Sequence, residues 1–173
     1  MSDITYIPLK QRFAYLFLIT DAYSRKIVGH HISDDMKVSS AAVALKQVLA
    51  QKPTETIVIH HSDRGIQYCS NEYVSLLKEH NAMISMTESG DPLENAIAER
   101  VNGILKDELL QLHYSSFQEA QKSVAKAISV YNSLRPHSSC AMLTPQVAHQ
   151  QKGVLKKHWK NYYKQKEVVM AEP

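Results

Sequence analysis

The sequence predicts an α/β fold: a mixed five-stranded sheet, three antiparallel strands followed by two parallel ones, flanked by helices. Three observations predict it. Short β-like segments crowd the first third of the chain with turn-length links, which suits antiparallel neighbours. Strand-like and helical segments then alternate, which suits parallel β–α units. Beyond about residue 91 the apolar spacing is helical.

Taken in order, residues 3–8 (DITYIP) read as a short strand ended by Pro8. Phe13 to Ile19 (FAYLFLI) is apolar almost throughout, as in a strand buried on both faces. Asp21 to Lys26 is a turn, and Ile27 to Ile32 the third strand. Ala41, Ala42, Leu45, Val48 and Leu49 recur at helical spacing behind Ser39 and Ser40, which are placed to cap; Pro53 stops that helix. Ile57 to Ile59 is a short strand leading into His60-His61-Ser62-Asp63. Ser70 caps a helix through about Lys78, and Ala82 to Met86 is the fifth strand. Asp91-Pro92-Leu93-Glu94 combines a cap, a first-turn proline and an acid three residues after the cap. The helix it starts is expected to run to about His113. Another spans Ser116 to Leu134 and ends at Arg135-Pro136, and Thr144-Pro145 restarts a short one.

The length of 173 residues fits one domain, and 44% apolar with 21% charged residues is an ordinary globular composition. No run of about 18 apolar residues offers a membrane span, and the first 30 residues have no signal-peptide layout. Cys69 and Cys140 are too far apart in sequence for a CxxC, so a reducing cytoplasm is the expected compartment. Residues 1–151 hold 14 basic and 15 acidic side chains, whereas residues 152–173 hold six Lys against two Glu. The chain therefore divides into a core, 1–148, and a basic tail, 149–173. Lys156, Lys157 and Lys160 lie in that tail with Trp159, Tyr162 and Tyr163, a mixture suited to gripping phosphates and stacking on bases. A solvated terminal helix accounts for the same composition equally well.

Three carboxylates have a place where they can meet. Asp3 lies in the first strand, Asp63 follows the fourth, and Glu99 sits inside the helix that starts at Asp91. On that helix Asn95, Glu99, Asn102, Gly103 and Lys106 share one polar face, opposite Ile97, Val101, Ile104, Leu105 and Leu112. Gly103 would let another backbone approach closely. Carboxylates brought together repel unless a cation intervenes. Mg²⁺ prefers oxygen ligands, and a pair of such ions about 4 Å apart can activate one oxygen and stabilise another. Phosphoryl transfer needs little beyond that positioning, with Lys106 aimed at a phosphate. A chain with 17 acids also yields such triples by chance, so isolated surface acids stay an open reading at this point.

The segments DITYIP, DAYSRKIVG, HSDRGIQYCS, GDPLENAIAERVNGILKDE and YNSLRPH…TP resemble the catalytic core of IS3-group insertion-sequence transposases. The resemblance covers about residues 3–148, and 35 residues separate Asp63 from Glu99, the spacing of that group's DD(35)E motif. It implies an RNase H-like fold, as in retroviral integrases. It implies that Asp3, Asp63 and Glu99 are catalytic and hold two Mg²⁺ ions, with Mn²⁺ as substitute. The implied reaction is metal-dependent DNA cleavage by water and strand transfer by a DNA 3′-hydroxyl. Lys106, Arg64, Asn95, Asn102 and Arg135 fall in or beside the motif blocks and are expected, with the tail lysines, to shape the site or touch DNA. Implied partners are transposon-end and target DNA and further copies of the chain, in the bacterial cytoplasm and on the nucleoid. The helix-turn-helix regions with which relatives read transposon ends are expected outside this chain. Only Met1 and Ser2 precede Asp3, so an inactive DNA-binding or oligomerising remnant is the rival reading. A nuclease for RNA–DNA hybrids is a third.

Two departures from the group concern packing. Leu93 and Glu94 replace the commoner Tyr-Asp and keep the helix start. Cys140 and Ala141 stand where Leu-Gly is common. Among the histidines, His30-His31 and His60-His61 are neighbours whose side chains must point to opposite faces of a strand. Neither pair can chelate one ion, and His61 is expected in a structural hydrogen bond. His137 and Cys140 are too sparse for a zinc site.

Overall fold

The computed structural model describes residues 1–53, 56–88 and 92–156. Strands β1 (Ser2–Pro8), β2 (Phe13–Thr20) and β3 (Ile27–Ser33) form an antiparallel meander, with Asp3 opposite Leu18 and Phe17 opposite His31. The continuous apolar run of β2 has the expected consequence. Leu16 and Leu18 enter the core on one face of the sheet, and Phe17 and Ile19 enter a second core on the other. Strands β4 (Ile59–Ser62) and β5 (Met83–Met86) pair in parallel, linked by α2 (Asn71–Glu79), which Ser70 caps by accepting from Tyr73 N. The fourth strand starts at Ile59, later than the sequence suggested; Ile57 lies outside it and is exposed.

The sheet is not closed into one ladder. It consists of β3-β2-β1 and β4-β5, with β4 beside β1. Met1 and Thr20 exchange both backbone bonds, so the next backbone groups of β1 point away from β2. Of these, the Ser2 carbonyl accepts from Asn95 Nδ2 at 3.1 Å and the Ile4 amide donates to Asp3 Oδ1 at 2.9 Å. Side chains thus occupy the backbone groups that a β1–β4 ladder would need.

Helix α1 (Val38–Gln51) lies across β3 at Gly29. A Cβ there would stand 2.4 Å from the Ala44 carbonyl oxygen and 2.8 Å from Val48 Cγ2, so only glycine admits this approach. Gln47 fastens the contact, its side chain accepting from His30 N at 3.0 Å and donating to His30 O at 2.8 Å. The start of α1 is organised by Asp35 rather than by Ser39 or Ser40. Asp35 Oδ1 accepts from Lys37 N and from Ser40 Oγ.

Helices α3 (Ala96–Ile104) and α4 (Phe117–Ser133) cover the other face, where Val101, Leu105, Val124 and Tyr131 pack with Ile7, Leu16 and Leu18. A 3₁₀ turn, Pro92–Asn95, precedes α3; the expected cap Asp91 lies outside the described residues. After Ile104 the helix widens into a π turn, Leu105–Leu109, and stops short of His113. Leu110 turns extended while its amide bonds Leu105 O, which frees the chain for the bridge between Leu9 and Tyr114. Leu112, expected on the apolar face, is therefore exposed. Gly103 has no backbone against it: the nearest atom to an added Cβ is Asp107 Oδ2, at 3.9 Å.

Thr144 caps α5 (Pro145–Ala148), as the sequence suggested, and Ser116, expected as the first residue of α4, is its cap. At the position where Leu-Gly is common, Cys140 is buried, but Ala141 and Met142 take φ of 55° and 60°. Left-handed backbone costs a side chain about 1 kcal/mol or more, which explains the usual glycine. Residues 149–156 form a turn and irregular chain, and the rest of the expected tail lies outside the described residues. No helix among the described residues is long and apolar enough to cross a membrane.

Candidate carboxylate site

The pleat of β1 sets Asp3 on the same side as Thr5 and Ile7, facing α3. There its Oδ2 accepts from Asn102 Nδ2 at 2.6 Å. Burial pushes the Asp3 pKa up, the bonds from Ile4 and Asn102 pull against that, and the negative charges of Asp63 and Glu99 push it up further. Asp63 and Glu99 are therefore each within electrostatic reach of Asp3, one from the end of β4 and the other from the first turn of α3. Asp63 is exposed, and its Oδ1 accepts from Gly65 N at 2.9 Å. A Cβ on residue 65 would stand 2.9 Å from that same oxygen, so glycine makes room for the fold-back. Glu99 is exposed on α3. Among the described residues none of the three forms an ion pair.

The donor set is all oxygen and its negative charge is uncompensated, which fits a hard divalent cation. No three His, Cys, Asp or Glu side chains among the described residues are already drawn together as a closed metal cage. Asp3 is fixed, while Asp63 and Glu99 reach into solvent. A concavity lined among others by Met1, Val28, Val48, Ile57 and Ile59 does not include the three acids. Asp63 and Glu99 are exposed and Asp3 is half-buried.

The other sequence-selected residues separate cleanly. Asn95 and Asn102 are buried and bonded to Ser2 O and to Asp3, so they build the site from within rather than face DNA. Arg64 Nε donates to Thr87 O at 2.7 Å and holds the loop after β5. Arg135 forks onto Glu108 with two bonds of 2.7 Å. Lys106 is exposed on the π turn and makes no ion pair among the described residues. Lys156 is exposed on irregular chain; Lys157 and Lys160 lie outside the described residues.

Sequence reasoning missed the group that joins β1 to β4. His60 is buried, with Nε2 2.7 Å from Ser2 Oγ and 3.0 Å from the Tyr73 hydroxyl, and burial lowers its pKa to about 4. Nothing local in the sequence couples residues 2, 60 and 73. His61 points the other way, as the strand requires, with Nδ1 2.8 Å from Ser85 Oγ and Nε2 3.1 Å from Glu94 O.

Comparison with known proteins agrees with this geometry. The integrase core domain model matches residues 1–92, and a second integrase core domain model matches residues 80–145. A putative transposase of insertion element IS986/IS6110 from Mycobacterium tuberculosis is 31% identical over 152 residues, covering 84% of this chain and 55% of that protein. The IS904 transposase of Lactococcus lactis is 35% identical, covering 84% and 58%, and InsF of IS3A from Escherichia coli is 36% identical, covering 83% and 51%. The chain thus spans about half the length of these relatives. The magnesium complex of the HTLV-2 integrase catalytic core domain superposes with a TM-score of 0.66 at 18% identity, covering 86% of this chain and 93% of that one. A chain of the simian T-cell lymphotropic virus intasome in complex with PP2A regulatory subunit B56 gamma gives a TM-score of 0.72 at 19% identity, covering 93% of this chain and 57% of that one. The fold is accordingly the RNase H-like fold of retroviral integrase cores. With adjoining matches running from Met1 into the segment after α4, the chain belongs to the integrase core domain family.

Proposed function

We propose that the chain is the catalytic core of a DDE transposase, cleaving DNA with water and joining the freed 3′-hydroxyl to a second strand. The observation that carries this reading is that Asp63 and Glu99, both exposed, act electrostatically on the half-buried Asp3 while none of the three has an ion pair among the described residues. They would hold two Mg²⁺ ions, or Mn²⁺ in their place, which when bound would activate the attacking oxygen and stabilise the leaving one. The protein's own part is positional. Asn102 and the Ile4 amide fix the Asp3 carboxylate before any ion binds. Gly65 fixes that of Asp63. Lys106, two turns beyond Glu99 on the same helix, offers a cation to the DNA backbone. Two transposon ends must be brought together, so the active species is a homo-oligomer on DNA, with end recognition supplied from outside residues 1–148.

The test is strand cleavage and joining on a pre-branched DNA oligonucleotide with Mn²⁺, beside Asp63→Asn and Glu99→Gln. A branched substrate lessens the need for end-reading modules. The parent is expected to act, and both folded variants to lose activity by at least about 10³-fold, the scale of a lost electrostatic contribution. Full activity in either variant refutes the carboxylate assignment. A parent that is folded and inert refutes the catalytic reading in favour of a remnant, and preference for an RNA–DNA hybrid refutes the transposase reading.

A further inference from the structure

At the end of α4, several segments bring charge to one spot. Arg135, at the end of α4, places Nε and Nη2 each 2.7 Å from the two carboxylate oxygens of Glu108 on the π turn. Its Nη1 lies 3.5 Å from His137 Nε2, and the His137 ring stands edge-on to Tyr131 at 5.2 Å. The Tyr131 hydroxyl donates to the carbonyl of Arg25, in the β2–β3 turn. Arg25 Nη1 is shut off from solvent with no hydrogen-bond partner. Arg100, exposed on α3, has no ion pair among the described residues and acts on both Glu108 and His137. His137 is neutral here, since burial and these guanidinium groups lower its pKa to about 4. All three guanidinium groups and the Glu108 carboxylate act on the His137 ring, so the cluster around it carries a balance of two positive charges.

A buried guanidinium nitrogen without an acceptor calls for an explanation, and a missing anion is one. The Arg135–Glu108 fork has the planar, two-pronged geometry that guanidinium groups use for phosphate as well as for carboxylate. We propose that Arg25, Arg100 and Arg135 form a seat for one DNA phosphodiester, with Glu108 occupying the phosphate's place when DNA is absent. The seat rests on the reading of the chain as a DNA-processing core and adds to it a contact away from the carboxylates. Because Arg100 directly follows Glu99 on α3, a duplex lying over the catalytic acids can continue to this seat. Its cation is then exchanged between an internal carboxylate and an external phosphate.

The experiment measures binding of the full chain to a branched DNA duplex against salt concentration, with activity assayed on the same samples. Neutralising one phosphate contact removes about 0.9 from the slope of log affinity against log salt. Arg100→Gln and Arg25→Gln are each expected to lower the slope by roughly that amount. Glu108→Gln is expected to tighten binding several-fold by removing the competitor. Glu79→Gln, an equal charge change on the exposed end of α2, serves as control. Inorganic phosphate at constant ionic strength distinguishes a free anion from the backbone. Competition by inorganic phosphate in the parent but not in Arg25→Gln would make this a free-phosphate site and overturn the DNA assignment. Unchanged slopes in both arginine variants, or equal tightening by Glu79→Gln and Glu108→Gln, overturn the seat while parental activity leaves the catalytic reading standing. A parent that binds no DNA overturns both.

Discussion

The same substitution, glycine to alanine, should have opposite signs at two places in this fold. At Gly29 the added methyl meets the Ala44 carbonyl at 2.4 Å and Val48 Cγ2 at 2.8 Å. The first is helix backbone and cannot swing aside, so α1 must withdraw from β3. Overpacking of this kind costs about 1–3 kcal/mol. Withdrawal also stretches the paired bonds from Gln47 to His30, now 3.0 and 2.8 Å, worth about 1 kcal/mol each. A loss of about 3–5 kcal/mol follows, and at about 2–4 °C per kcal/mol the midpoint falls by roughly 10 °C. At Gly103 the methyl meets only Asp107 Oδ2 at 3.9 Å, an ordinary contact. There the gain in helix propensity, about 0.5–1 kcal/mol, raises the midpoint by a few degrees. Thermal and urea unfolding of the metal-free protein, followed by circular dichroism, measures both. A Gly29→Ala protein melting with the parent would refute the close-approach argument, and a destabilised Gly103→Ala would show that the open space at α3 is not real.

Ala141→Gly should stabilise by about 1 kcal/mol, because it relieves the residue's left-handed backbone; urea titration decides, and no gain would mean the turn is unstrained. Acid should destabilise the fold before the carboxylates titrate. The folded pKa of His60 is lowered to about 4, so its contribution is complete above about pH 6.5 and is lost as pH falls from there through 4. The sum is on the order of 3 kcal/mol, and His137 acts in the same direction; an unfolding free energy that stays level over that window would exclude it. Mn²⁺ should raise the melting temperature of the parent and leave Asp63→Asn unmoved, with about 2.7 kcal/mol available at a hundredfold excess over the dissociation constant. An equal rise in both would place the ion elsewhere.

Legibility in the sequence followed the range of the physics. Period and punctuation are local, so β1 to β3, the Ser70 and Thr144 caps and the course of α4 could be read from neighbouring residues. Asp63 and Glu99 could be set near Asp3 because one follows β4 and the other opens α3, and both act on it electrostatically. What escaped depends on contacts between distant segments. Gly29 looks like any strand glycine until α1 is laid over it. Asn95 and Asn102 share the polar face with Lys106, and polarity alone does not say which of them turns inward to Ser2 and Asp3 and which meets solvent. Arg135 was sought as a phosphate contact from its motif, and the fork to Glu108 required the π turn, which periodicity cannot foresee.

The junction of β1 and β4 shows how the site and the fold constrain each other. A regular parallel ladder there would use the Ser2 carbonyl and the Ile4 amide. Instead the first is held by Asn95 and the second by Asp3 itself, and the strands are joined by Ser2, His60 and Tyr73. Every side chain in that arrangement lies within four residues of Asp3, Asp63 or Glu99, except Tyr73 from α2. Ladder hydrogen bonds would set the strand separation but leave the carboxylate of Asp3 free to rotate. The bonds actually present spend the same backbone groups on orienting it, and they hand the strand separation to a buried imidazole that stays neutral at physiological pH. Asp3 is thus held at both carboxylate oxygens and Asp63 at one, by Gly65 N, while Glu99 stands exposed on α3.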